Sequence, residues 1–206
     1  MSANKSTEEL ICNRTLAKSL IQKARDIKML PEVAVKAIAI ADNPDAKIQD
    51  LANIVSQDAM LTTSILSLSN SPLFPIYACG KSISCLKMAI TRLGFRQTKQ
   101  MILVSSYSSM VSKMSTIETT TRDLLSKHSF LTGCIATELN RLFKLGIQGE
   151  EFTAGLIHDI GRMLLAATIP EKFSIVDSVH FDEADNLLDK ELSLLGTDPA
   201  KIGGWF

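Results

Sequence analysis

Apolar residues recur along this chain at spacings of three and four residues, which is the period of an amphipathic α-helix. This pattern predicts helices over residues 5–25, 31–41, 83–93, 97–111, 122–144, 150–167 and 182–195, two shorter ones around Leu51–Val55 and Leu61–Leu68, and another that begins at Pro170. Turn-forming residues interrupt the spacing at Asn43-Pro44-Asp45, at Asn70-Ser71-Pro72 and at Gly94. The pattern therefore predicts an all-α fold.

Four positions are typical of helix ends. Pro31 suits the first turn of a helix, where its missing N–H costs little. Asp58 precedes an apolar run and is expected to cap the N-terminus of that helix with its carboxylate. Gly146 follows the 122–144 helix at the position of a C-terminal glycine cap. Glu150 suits the positive end of the next helix dipole, so that helix is expected to begin there.

The stretch STIETTT at residues 115–121 is polar and β-branched, unlike the helical segments on either side. We interpret it as the boundary between two packed helical subdomains, over residues 27–115 and 116–206. An N-terminal helix or arm over residues 1–26 is expected to precede them.

Composition agrees with helices and argues against two classes of partner. Of the 206 residues, 46% are apolar but only 5% are aromatic, whereas strands favour aromatic and β-branched residues. The 22 basic and 22 acidic residues cancel, so no overall field attracts nucleic acid or an anionic membrane. Residues 51–68 resemble a DNA-binding helix-turn-helix, but the second helix, AMLTTSILSLS, has no Lys or Arg for phosphate contacts. Neither nucleic acid nor a membrane is therefore an expected partner.

The cysteines indicate a reducing compartment. They are Cys12, Cys79, Cys85 and Cys134, and they form no CxxC pair. The N-terminus, MSANKSTEEL, does not have the pattern of a signal peptide, and no apolar stretch approaches the roughly 18 residues of a membrane helix. A cytoplasmic protein with four unpaired thiols is the expectation.

The dipeptide His158-Asp159, within AGLIHDIGRMLL, is the strongest indication of chemistry. An imidazole and an adjacent carboxylate on one helix can bind a metal ion if a second imidazole approaches from another helix. His128 lies on such a helix, on an apolar stripe that also contains Leu124, Leu131, Ile135, Leu139 and Leu142, and is expected to point inward. The alternative for each histidine is a core residue hydrogen-bonded to a carbonyl or carboxylate. His180 lies in a polar stretch and is expected to be exposed.

Five segments of the chain carry a family resemblance. They are LPEVAVKAIAIADNPDAKIQDLANIVSQDAMLTTSILSLSNSPLF at 30–74, SISCLKMAITRLGFRQTKQMIL at 82–103, KHSFLTGCIATEL at 127–139, EEFTAGLIHDIGRMLL at 150–165 and LLGTDPAKIGGW at 194–205. In this order they resemble the HDOD family, a branch of the HD superfamily that occurs as output domains in bacterial signalling. The resemblance implies an N-terminal helical bundle followed by a half that is similar to HD hydrolases.

Catalytic HD enzymes bind metal with a His, an adjacent His-Asp pair and a distal Asp. By motif, His128 matches the first His and His158-Asp159 match the pair. The distal Asp is expected beyond Phe206, so the HD-like subdomain is expected to lack its C-terminal helices. Pro199, in GTDPAKIG, stands where the family usually has a histidine. The later aspartates that could replace the distal ligand are Asp177, Asp182, Asp185, Asp189 and Asp198.

Two functions remain open on this resemblance. The first is a non-catalytic signalling or regulatory module that binds signalling proteins or a small ligand, because the family is generally regarded as having lost hydrolase activity. The second is a metal-dependent phosphohydrolase with a reduced metal site. In either case no cofactor is required, but the three ligands could hold Fe, Mn, Zn or Mg weakly. Arg162, one turn after His158, is a candidate phosphate ligand, and the alternative for it is a solvated helix charge.

The expected absence of C-terminal helices has one further consequence. It would leave apolar surface uncovered, and such surface commonly binds a second copy of the same chain. The sequence therefore predicts a homodimer or a soluble, aggregation-prone species.

Overall fold

The structure is a computed structural model that describes residues 30–72, 82–176 and 199–204, together with Gln22 and Asp189. Throughout these residues the regular elements are helices, which confirms the predicted all-α fold. They are α1 Glu32–Ala41, α2 Ile48–Val55, α3 Ala59–Ser69, α4 Leu86–Ser112, α5 Thr119–Phe143, α6 Glu150–Ile157, α7 Ile160–Thr168, α8 Pro170–Val176 and α9 Pro199–Gly204. None of the described helices is long and apolar enough to cross a lipid bilayer.

The chain forms two compact units, which divide between Met110 and Val111. The predicted extents of the subdomains, 27–115 and 116–206, and of the arm over 1–26 stay predictions. The predicted helices over 5–25 and 182–195 fall almost entirely outside the described residues, as do Cys12, Cys79 and His180. Cys85 and Cys134, the two cysteines that the structure describes, are unpaired.

The unit from Met29 to Met110 is built on a core of small and branched apolar side chains from α1 to α4. The buried members are Ala34, Ala37, Leu51, Ala52, Val55, Leu61, Ile65, Ala89, Ile90, Leu93 and Ile102. Asp58 caps α3, since its Oδ1 accepts hydrogen bonds from the N–H groups of Met60 at 2.8 Å and Leu61 at 3.0 Å. The predicted N-cap is therefore confirmed.

Asn70 determines how α3 ends, and Gly94 determines where α4 bends. Asn70 follows α3, donates to the carbonyls of Leu66 and Ile83, and accepts from the Ile83 N–H at 2.8 Å. This amide therefore ties the end of α3 to the chain that leads into α4. Gly94 has φ 77° and ψ 169° inside α4, a conformation that an L side chain rarely adopts. The predicted break at Gly94 is confirmed as a junction of two helical segments.

In the second unit, α5 packs against α6 through glycine. A Cβ atom added at Gly155 of α6 would lie 2.6 Å from the Cα of Gly133 of α5. The two backbones are therefore in direct contact at this level. The buried face of α5 consists of Leu125, Ser129, Gly133 and Asn140. Most of these side chains are small or polar, and it is their small size that allows the close approach.

This packing overturns one sequence expectation. Leu124, Leu131, Ile135, Leu139 and Leu142, which were predicted to face the core, are between 44% and 58% exposed. The prediction was wrong because helical periodicity identifies an apolar stripe but not which face contacts a neighbour. The Gly133 face packs more closely against α6 than a leucine face could.

The end of α5 also differs from expectation. Lys144, with φ 52° and ψ 45°, is the left-handed residue that ends the helix, and Gly146 lies two residues later with φ 76°. The buried Asn140 side chain stabilises the loop, because its Nδ2 donates to the Ile147 carbonyl at 2.8 Å and its Oδ1 accepts from the Ile147 N–H at 3.2 Å. A side-chain clamp of this kind lessens the need for a glycine cap directly after the helix.

The glycine contact leads to a stability prediction. Replacing a helical glycine with alanine ordinarily stabilises a protein by about 0.5–1 kcal/mol. Gly155→Ala is expected instead to lower the free energy of unfolding by about 1–3 kcal/mol, because its methyl group would meet the backbone of Gly133. Denaturant unfolding followed by circular dichroism measures this. Gly204→Ala, where nothing lies within 4 Å of the added Cβ, is the matched control. Equal stability of the two variants would contradict the packing.

Candidate metal centre

His158 and Asp159 lie at a break between two helices and not within one. The sequence predicted a single helix over 150–167, but α6 ends at Ile157 and α7 begins at Ile160. Asp159 is the N-cap residue of α7, with φ −103° and ψ 16°, a position that aspartate favours. On a continuous helix these adjacent side chains would diverge by about 100°. The break lets both point toward the same space.

Three ligand atoms converge there. The Nε2 atoms of His128 and His158 are 3.1 Å apart, and each lies 3.4 Å from Oδ2 of Asp159. Metal–nitrogen and metal–oxygen bonds of about 2.0–2.1 Å at near-octahedral or tetrahedral angles separate neighbouring ligand atoms by roughly 2.9–3.4 Å. The observed spacings therefore fit three ligands of one divalent ion. The predicted grouping of these three residues is observed.

The orientation of His158 is determined by the backbone. Its Nδ1 lies 2.9 Å from the Gly155 carbonyl oxygen, which can only accept a hydrogen bond. Nδ1 therefore carries the proton, and the lone pair of Nε2 is directed toward His128 and Asp159. Metal-binding histidines commonly have such a partner on the second nitrogen. Gly155 was not among the predicted site residues, although it lies one turn before His158 in AGLIHD.

The centre is open to solvent. The side chains of His128 and His158 are 38% and 35% exposed, and that of Asp159 is 20% exposed. The prediction that His128 points into the core is therefore wrong. It lies beside the exposed apolar stripe of α5, so small molecules can reach the three ligand atoms.

Arg162 is buried, with its side chain 8% exposed, and its Nη1 lies 3.1 Å from Oδ2 of Asp159. The alternative of a solvated helix charge is therefore wrong. The oxygen that faces both imidazoles is also the one that accepts from the guanidinium. The carboxylate charge is thus already balanced, and a divalent ion would meet a fixed positive charge nearby. A phosphate-binding role for Arg162 stays a prediction.

Pro199 is not among the converging ligands. It begins α9, where a Cβ added at Gly161 of α7 would lie 1.8 Å from its carbonyl oxygen, so α9 packs directly on α7. In the described part of the chain, the only His, Cys, Asp or Glu group of this kind is His128, His158 and Asp159. Of the aspartates considered as a fourth ligand, Asp189 is described and is not in this group; the other four lie outside the described residues.

Comparison with known proteins agrees with this architecture. A sequence model of the HDOD domain matches residues 27–206. This chain belongs to the HDOD family. The resemblance found in the sequence segments is thereby confirmed.

Solved structures share the helical fold of the HDOD chain. An HDOD domain protein of unknown function from Geobacter sulfurreducens matches 90% of the chain with 23% identity and a TM-score of 0.67. A phosphohydrolase candidate from Shewanella amazonensis matches 89% with 26% identity and a TM-score of 0.65. The chain spans 63% of each of these two proteins. An uncharacterised protein of Treponema pallidum is 26% identical over 159 residues, which make up 29% of that protein.

The converging ligands lead to a binding prediction. His158→Ala and Asp159→Asn are each expected to weaken Zn²⁺ or Mn²⁺ binding by roughly 10-fold to 100-fold. The first removes one of the three ligands that the described residues supply, and the second removes the negative charge of another. Titration calorimetry of the chelator-treated protein measures the affinity. His180→Ala removes the remaining histidine and is expected to leave the affinity unchanged. Equal binding by all three variants would show that the group holds no ion.

For Arg162 the expected effect of a substitution is tighter metal binding. Arg162→Gln is expected to tighten metal binding by about tenfold, because it removes a positive charge close to the ion and frees the Asp159 oxygen. Arg162→Lys keeps the charge and is the matched control, with affinity close to that of the unmodified chain. A weaker affinity in Arg162→Gln would mean that Arg162 positions Asp159 for the metal and does not compete with it.

Proposed function

We propose that this HDOD chain is a non-catalytic regulatory module that works by binding, with a weak divalent-metal centre at His128, His158 and Asp159 as its ligand site. The observation that carries the proposal is the sharing of one carboxylate oxygen. Oδ2 of Asp159 lies 3.4 Å from both imidazole nitrogens and 3.1 Å from the buried guanidinium of Arg162. This arrangement suits weak, reversible binding of an ion or an anion more than a tightly held catalytic metal.

The summed charge of the side chains at the centre supports binding of an anionic ligand over its hydrolysis. Two neutral imidazoles, one carboxylate and one guanidinium sum to zero, so a bound divalent ion would leave two positive charges uncompensated at a half-exposed site. An anionic ligand such as a phosphate ester would neutralise them. Hydrolysis needs a group beyond the metal ligands to act as general base. The proposed centre uses both histidines of the described residues as ligands, so a carboxylate outside the centre would have to act as the base.

The second candidate is a metal-dependent phosphohydrolase. Two observations favour it: the ligand spacings suit a single divalent ion, and the similar Shewanella amazonensis protein is itself a phosphohydrolase candidate. Under this alternative the metal would act as a Lewis acid on a phosphoryl oxygen, and Arg162 would hold the phosphate. The two candidates share the metal site and differ only in turnover.

One assay separates them. The protein is loaded in turn with Mn²⁺, Zn²⁺ and Fe²⁺ and incubated with phosphomonoesters, bis(p-nitrophenyl) phosphate and cyclic dinucleotides. The proposal predicts that the unmodified protein forms product no faster than Asp159→Asn does under the same conditions. It also predicts that the metal-loaded chain binds at least one of these anions in calorimetry and that Asp159→Asn does not.

Product formation that depends on both the metal and Asp159 would establish the phosphohydrolase. Absence of anion binding in every metal-loaded form would contradict the ligand site that we propose, and the regulatory role would then have to rest on protein surfaces alone.

A further inference from the structure

The exposed face of α5 carries an apolar stripe in which His128 is the one polar position. Leu124, Leu131, Ile135, Leu139 and Leu142 recur at spacings of three, four and seven residues and are 45%, 57%, 58%, 44% and 58% exposed. These five residues are called the α5 stripe here. They cover nearly the full length of a 25-residue helix. Scattered exposed leucines are ordinary on protein surfaces, whereas five in register on one helix are typical of a helix–helix contact.

The α5 stripe lies opposite the face that α5 already uses. At 100° per residue, Leu131 and Gly133 point about 160° apart around the helix axis. Gly133 contacts α6, so the five apolar residues of the stripe point away from that contact. Helix α5 therefore has two apolar or small-residue faces, one packed within the chain and one exposed.

Charged residues follow one edge of the α5 stripe in a self-complementary order. Asp123 and Lys127 lie in its N-terminal half, and Glu138 and Arg141 lie in its C-terminal half; all four are exposed. At 100° per residue they fall on the same side of the stripe. Glu138 and Arg141 are hydrogen-bonded to each other, which lowers the pKa of the Glu138 carboxyl. Both carry their charges at neutral pH and remain available to a partner.

We propose that the α5 stripe is a homodimer interface in which α5 of a second copy packs antiparallel to it, about a twofold axis at the level of Gly133. In this register Leu124 lies opposite Leu142 of the second copy, and Leu131 lies opposite Ile135. The charged edge pairs as well, Lys127 with Glu138 and Asp123 with Arg141 of the second copy.

Charge complementarity identifies the partner as a second copy. An antiparallel twofold contact matches each charge of this edge with its opposite, whereas a parallel twofold contact would set this charged edge against the opposite, uncharged edge of the stripe around Thr132 and Ala136. A twofold interface needs one surface that complements itself, and the α5 stripe with its charged edge is such a surface. An unrelated partner would not require that pattern.

The interface would also affect the proposed metal centre, and this consequence rests on the proposed function. His128 lies on the same side of α5 as the stripe, with its side chain 38% exposed. In the antiparallel register, Ile135 and Leu139 of the second copy would lie beside it. Dimerisation would then narrow access to the centre, and a bound ligand could shift the monomer–dimer balance.

Sedimentation velocity of the whole chain without metal or ligand tests the interface by itself. The unmodified protein is expected to dimerise at micromolar concentrations, and Leu131→Glu or Ile135→Glu is expected to weaken dimerisation by at least about 100-fold, because each buries two charges per dimer. Met60→Glu changes an apolar residue of α3 that is still more exposed, at 75%, and is expected to remain dimeric. Circular dichroism checks that each variant is folded.

Charge reversal tests the register and the identity of the partner. Lys127→Glu and Glu138→Lys are each expected to weaken dimerisation by about tenfold, and the double variant is expected to restore it. A monomer at 100-fold higher concentration, a dimer indifferent to Leu131→Glu, or no recovery in the double variant would each overturn the proposal. None of these results depends on metal, so a failure of the interface is distinguishable from a failure of the metal centre.

Discussion

The contact between Gly133 and Gly155 is the constraint on which the rest of the second unit depends. Any side chain at Gly155 would place its Cβ 2.6 Å from the Cα of Gly133. Helices α5 and α6 can therefore approach this closely only where both residues lack a side chain. His128 lies five residues before this crossing and His158 three residues after it. The two imidazole nitrogens meet at 3.1 Å because the helices meet this closely. The same contact turns the larger apolar side chains of α5 outward.

Much of the fold follows from local interactions that can be predicted from the sequence. Asp58 caps α3 as predicted, and Gly94 interrupts α4 as predicted, because each acts on its own backbone through its conformation or its side chain. The convergence of His128 with His158 and Asp159 was also anticipated, from the adjacent His-Asp pair, from the place of His128 on the helix and from the family motifs. Local rules and motif order are sufficient for these features.

The errors have a common physical origin. The stripe of α5 was assigned to the core because its residues are the most apolar, but burial depends on which face a neighbouring helix contacts, and Gly133 determines that. The 150–167 segment was predicted as one helix because its apolar spacing continues through the break. A solvated charge was one alternative for Arg162, because the pairing of its guanidinium with Asp159 depends on that same break and could not be foreseen. Tertiary packing decides each of these features, and a single sequence does not encode it in a simple pattern.

Two faces of α5 have different roles. The buried face of α5 brings the helix against α6, so that His128 meets His158 and Asp159, a carboxylate that is already bonded to Arg162. The exposed face carries the apolar stripe that we propose as a contact with a second chain. Under these proposals, the HDOD chain would bind a ligand at this centre and respond to it by a change in dimerisation. Regulation and catalysis would place different demands on the centre: reversibility in the first case and a tightly held ion in the second.

X-ray absorption spectroscopy of the zinc-loaded chain tests the metal centre most directly. We expect a first shell of nitrogen and oxygen at about 2.0–2.1 Å, with the outer-shell scattering of two imidazole rings, and loss of one ring in His128→Ala. A shell of oxygen atoms alone, without imidazole scattering and unchanged by His128→Ala, would show that zinc binds elsewhere. The convergence of His128, His158 and Asp159 would then be a feature of packing and not a metal centre.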